Sequence, residues 1–236
     1  MKKISLVLSV VVSLFLLSCR KVTGDGPIVN ETRSVSGFNS LDVRVGATVY
    51  YRQSPVTRVE VSAQQNVLDV LQTYVSNNKL VVKYKDNVWV KSNEMVRVEI
   101  SAPDINSLRL SGSGNVYVNG PVTTGALDLD ISGSGDVNLT ELNTSHLDAN
   151  ISGSGSIRIS GGTATEEKLK ISGSGSLELE NVVASRITTN TSGSGTIKVT
   201  ANQVLNVTIS GSGNVYYKGS PQVNVSVSGS GRVSRL

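Results

Sequence analysis

The tetrapeptide Ser-Gly-Ser-Gly occurs seven times, beginning at Ser111, Ser132, Ser152, Ser172, Ser192, Ser210 and Ser228. Successive copies lie 21, 20, 20, 20, 18 and 18 residues apart. A fixed period near twenty is the mark of a solenoid, in which each repeat is one turn stacked on the last. The flanks show that these are not linkers. Leu127, Leu129 and Ile131 are apolar at every second position, Gly133 and Gly135 continue the parity, and Val137 and Leu139 resume it. Leu169, Ile171, Gly173, Gly175, Leu177 and Leu179 repeat the pattern. Period two across the tetrapeptide means a strand path with one buried face. The glycines are therefore expected at an inner corner, where a Cβ has no room, and the serines outside.

One coil then reads as an alternating strand, a glycine corner, a second short strand and a return of variable length. Stacked coils would pair as parallel strands about 4.8 Å apart. The fold class is all-β: a parallel β-helix or solenoid, right-handed by the chirality of parallel crossovers. Outward residues should form ladders, among them Arg158, Glu178 and Lys198, which would alternate in charge.

The amino-terminal half is less regular. Leu41, Val43, Val45, Ala47, Val49 and Tyr51 alternate, as do Leu80, Val82 and Tyr84, and again Val96, Val98 and Ile100. Between them Val67, Leu68, Leu71, Tyr74 and Val75 have helical spacing, which predicts one short helix within residues 66–77, ended at Asn77-Asn78. Residues 19–34 read as a tether, 35–102 as the amino-terminal β region and 103–236 as the solenoid.

The chain opens with Lys2 and Lys3, then an apolar run to Leu17 broken only by serines, then Ser18-Cys19. That is the pattern of a secretory signal over residues 1–18 rather than of a spanning helix. Its ending resembles a bacterial lipobox, which implies cleavage after Ser18 and lipidation of Cys19. Cys19 is the only cysteine, so no internal disulfide can form. Losing residues 1–18 removes two lysines and no acid, taking the formal charge from +4 to +2. So small a charge gives no case for nucleic acid.

Several blocks, "RSVSGFNSLDVRVGATVYYRQ", "VEVSAQQNVLDVLQTYVSNNKLVVKYKDN" and "VRVEISAPDINSLRLSGSGNVYV", resemble the putative auto-transporter adhesin, head GIN domain family, from about Val35 to the end. The resemblance implies a β-helical envelope protein of Gram-negative bacteria with an adhesive role, and carries over no catalytic residues. The lipobox-like start departs from an auto-transporter, since no membrane-barrel segment follows.

Polysaccharide-cleaving enzymes also use parallel β-helices, so the acids merit separate attention. Asp128, Asp130, Asp136 and Asp148 fall on outward positions of neighbouring coils, where a solvated polar face is the simplest reading. A convergent cleft would instead favour a carbohydrate-binding or polysaccharide-cleaving protein. The ladder lacks the recurring aspartate of a calcium-binding repeat, and His146 is a lone histidine in a return. No metal or other cofactor is expected. Tyr51 and Tyr84 share the buried parity, whereas Tyr117 and Tyr216 point outward and are candidate contact residues alongside Asp128 and Asp148. The expected protein is a non-enzymatic, lipid-anchored envelope component, on the outer membrane and facing either periplasm or surface. Its expected partners are the membrane, a glycan or protein ligand, and another copy of itself, packed on the last coil.

Overall fold

The computed structural model describes residues 20–91 and 94–236. The expected signal peptide and Cys19 lie outside the described residues. Nearly all of the rest is strand. Long strand paths such as Asn115–Gly133, Asp136–Gly153 and Ser176–Gly193 each run along the stack's side, through a return, and up to the next corner. They pair in parallel and in register, so that Leu127 lies beside Leu147, Leu129 beside Ala149 and Ile131 beside Ile151. The Leu, Ile and Val columns of successive coils merge into one buried core. This is the stacked β-solenoid that the period and parity require.

The corners obey two different constraints. At Gly175 a Cβ would lie 2.6 Å from the Gly155 carbonyl oxygen and 2.7 Å from Cγ2 of Ile151, so this glycine does face the core. At Gly173 the obstacle is different. Its φ of +129° disfavours any L side chain, and a Cβ would collide with the carbonyl oxygen of Gly153. The first glycine of each such corner thus faces along the stack axis, not inward as expected, because the preceding coil's corner occupies that space. Ser172 and Ser174 are exposed, as the parity requires.

The stack begins earlier than its first Ser-Gly-Ser-Gly. Strands Ser40–Val43 and Ala47–Gln53 already form a coil, with Leu41 paired to Leu108 and Val49 to Val116. Beyond them the strands Lys79–Tyr84 and Val96–Ala102 continue the parallel pairing. The chain then closes this end with antiparallel partners: Arg58–Gln64 on Val96–Ala102, and Leu71–Ser76 on Lys79–Tyr84. Antiparallel strands at a solenoid's end act as a cap.

Two expectations for this region are corrected. The helix covers only Gln65–Leu68, and Leu71–Ser76 is a strand. Asn77 and Asn78 both have positive φ, 51° and 59°, and join Ser76 to Lys79 in a two-residue hairpin. Asparagine tolerates that conformation, so the pair makes a hairpin turn rather than a helix stop. The second correction concerns the tether. Residues Arg20–Thr23 pair in parallel with Val88–Lys91, and Ile28–Thr32 pairs antiparallel with Arg58–Gln64. This segment covers strands of the cap that would otherwise present open backbone groups.

The opposite end is bare by comparison. On Gln222–Gly229, Val225 and Val227 keep the inward parity, in register with Val207 and Ile209, yet are 50% and 41% exposed.

Candidate functional site

Each coil offers two outward faces separated by the glycine corner. The first face carries the residues that precede the tetrapeptide. Asp128 and Asp148 are neighbours on it, in register, and Lys168 follows in the next coil. Asp128 is exposed, and its carboxyl is raised above the usual range, first by the burial it retains and then by Asp148 and Asp130. The two carboxylates stand on the open sheet surface, and neither lines the groove on that face. Along the same face Arg109 pairs with Asp130 at 3.0 Å. Those two residues, with Asn150, Lys170 and corner serines, line a shallow groove of about 680 Å³. His146 lies in a return, exposed, 3.7 Å from Glu166. Among the described residues no cluster of three or more His, Cys, Asp or Glu could hold a metal ion.

The second face carries the residues that follow the tetrapeptide. Strand register builds one continuous outward column there: Glu60, Glu99, Tyr50, Tyr117, Asn138, Arg158, Glu178, Lys198, Tyr216 and Ser234. Arg158 and Glu178 form an ion pair of 2.6 Å, so the charge alternation of the ladder is realised there. Tyr117 and Tyr216 do share this face, but four coils separate them. Asp128 and Asp148 stand on the other face, across the corner. The four candidate contact residues therefore do not converge on one site.

The structure instead gathers functional groups where the cap meets the solenoid. Tyr50 stacks on Tyr117 with ring centroids 5.5 Å apart and 21° between planes. The Arg97 guanidinium covers Tyr50, 4.5 Å from the ring centroid. Arg97 also pairs with Glu99 at 2.7 Å, and Arg58 pairs with Glu60. Arg52, Asn119 and Ser101 complete an open cleft of about 500 Å³, with Ile100 and Tyr51 beneath. Tyr51 is buried, as its parity requires, with its hydroxyl donating to the Ala102 carbonyl at 3.2 Å; burial pushes that hydroxyl above the usual range. Tyr84 is half-buried and packs against the core.

This cleft escaped the periodicity because antiparallel cap strands supply half of it. Arg58 and Arg97 come from segments with no Ser-Gly-Ser-Gly landmark, so nothing local marked their meeting. A second unforeseen residue is Glu167. It keeps the inward phase of Leu169 and Ile171 and is fully buried, with neither carboxyl oxygen hydrogen-bonded to a protein group. Burial pushes its pKa to about 8. Its parity was the signal that could have found it.

These features define a β-solenoid with one antiparallel cap and broad polar side faces. The chain belongs to the putative auto-transporter adhesin, head GIN domain family, whose model matches residues 37–221. Three crystal structures show the same fold. One is described as a putative adhesin from Bacteroides fragilis, at 25% identity and a TM-score of 0.85, covering 91% of this chain and 100% of that one. A putative adhesin from Parabacteroides distasonis matches at 26% identity and 0.76, covering 92% and 100%. A putative lipid binding protein from the same species matches at 23% identity and 0.77, again covering 92% and 100%. No curated protein matches the chain.

Proposed function

We propose that this protein is a non-enzymatic component of the bacterial cell envelope that presents its solenoid faces for adhesion. Cys19 would carry the lipid anchor to an outer membrane, and since Arg20–Thr23 is paired with Val88–Lys91, the anchor would attach directly at the capped end of the solenoid. The observation that carries the reading is the outward column from Glu60 to Ser234, a continuous run of polar, charged and aromatic residues held in register by backbone pairing. Such a face is rigid before any ligand arrives, which spares the ordering cost of binding. The adhesin descriptions of the family and of the B. fragilis structure support the same reading. The polysaccharide-cleaving alternative is weakened because the groove on the face of Asp128 and Asp148 is lined by neither of them.

The test has two arms. Intact cells are probed with a protease and an antibody against the solenoid, and the purified full chain is screened in detergent against glycans and matrix proteins. Surface accessibility with saturable binding is expected. A chain that is inaccessible on intact cells and binds nothing in the screen refutes adhesion.

A further inference from the structure

The cleft between cap and solenoid has a chemistry more specific than a general contact surface. Its floor is Ser101, whose Cα is in register with Arg52 on one side and Arg58 on the other. Two strand spacings put those arginines about 10 Å apart at the backbone, with a small side chain between them. The Ser101 hydroxyl is turned away, donating to the Val56 carbonyl at 2.7 Å. Both arginines line the cleft and are exposed. Arg58 is neutralised by Glu60, and Arg97 by Glu99. Arg52 has no carboxylate partner among the described residues. The cleft therefore holds one uncompensated guanidinium beside Tyr50, two carboxylates and Asn119.

We propose that this cleft binds an acidic saccharide, a sugar bearing a carboxylate. The inference rests on the adhesive reading above and names the ligand class for it. A guanidinium presents a planar fork that matches a carboxylate with two parallel hydrogen bonds. Glu60, Glu99 and Asn119 supply acceptors and donors for ring hydroxyls, which a sugar has in number. Tyr50, held by the Tyr117 stack and the Arg97 guanidinium, lines the cleft and adds van der Waals contact for the sugar's C–H surface.

An extended acidic peptide fits less well. Ala47–Gln53 is already paired on both sides, by Val96–Ala102 and Asn115–Gly133. Val96–Ala102 is likewise paired on both sides, the second time by Arg58–Gln64. Strand addition to these segments is closed, so recognition must come from side chains.

The experiment measures binding of the full chain in detergent to three acidic probes: a hyaluronan hexasaccharide, trigalacturonate and 3′-sialyllactose. Chitohexaose and lactose are the neutral counterparts, and a poly-glutamate peptide is the peptide control. At least one acidic sugar should bind saturably, with neutral sugars and the peptide about tenfold weaker or more. Arg52→Ala should lose that binding by about tenfold or more, Arg52→Lys should restore only part of it, and Lys198→Ala on the same face should change nothing. Arg52 is exposed, so these variants keep the fold. Binding to none of the acidic probes overturns the proposal, as does equal binding of the peptide. Acidic-sugar binding that survives Arg52→Ala overturns the cleft as its site. A ligand found elsewhere on the solenoid would leave the adhesive function standing while this inference fails.

Discussion

Glu167 should make the solenoid less stable as the pH rises from 5 to 9. It occupies the core column Leu127, Leu147, Glu167, Ile187, Leu205, all with exposures of 1% or less. The nearby Thr189 and Thr191 hydroxyls are buried too, and neither has a hydrogen-bond partner among the protein groups. Removing the carboxyl from water disfavours its charged form and pushes its pKa from 4.5 to about 8. Below pH 4.5 the folded and unfolded chains both hold the proton, so the group makes no difference. Between 4.5 and 8 the folded chain keeps a proton that the unfolded chain releases, and stability falls by ~1.4 kcal/mol per pH unit. The loss reaches about 3 kcal/mol at pH 7 and levels off at about 5 kcal/mol above pH 8. Glu167→Leu restores the apolar column and should remove this slope, because a buried charge replaced by a well-packed hydrophobe is often stabilising. The assay is denaturant unfolding of both proteins at pH 5, 7 and 9. The gap between them should widen with pH, by about 3 kcal/mol or more from end to end. Asp128 also has a raised pKa, but it is common to both proteins and cancels in the difference. Parallel stability profiles for wild type and Glu167→Leu would refute the reasoning.

Other expectations follow from the corners, the ends and the leader. Gly173→Val should cost about 3 kcal/mol or more through backbone strain and collision with the preceding coil, whereas Ser174→Val should cost about 0.5 kcal/mol or less. Equal losses of melting temperature for the two would contradict the corner geometry. Cys19→Ala should move the protein out of the membrane fraction, and wild type should carry a lipid by mass spectrometry; identical partitioning would remove the anchor. The exposed Val225 and Val227 sit at the end that lacks an antiparallel cap, and an open parallel edge of that kind can be covered by a second copy. The protein should therefore sediment as more than a monomer at micromolar concentration, and Val227→Lys should abolish this. A monomeric wild type refutes self-association.

The solenoid was legible because its constraint is repetitive. Each Ser-Gly-Ser-Gly corner places a glycine where the coil before it leaves no room, so the tetrapeptide and its parity carry the register of Leu110, Ile131, Ile151 and Ile171. The cap was less legible because it breaks that repetition. Residues 66–77 have apolar spacing that suits a helix as well as a strand, and only the tertiary partner, Lys79–Tyr84, decides for Leu71–Ser76. Residues 20–32 carry too few apolar side chains to announce two strands; their pairing is set by backbone edges elsewhere in the cap. The candidate contact residues alternate with buried ones along their strands, but a one-dimensional parity does not say which face they share. Tyr117 gained its meaning from Tyr50, 67 positions earlier in the chain, and Arg52 gained its own from Ser101 and Arg58.

The proposed function is contact without turnover. Its most direct measurement takes whichever glycan or matrix protein binds the full chain and follows both occupancy and ligand size over many hours, with and without calcium. Saturable, reversible binding is expected, with the ligand recovered at its original length. A ligand that is shortened, by an activity that disappears in Asp128→Asn, would contradict it.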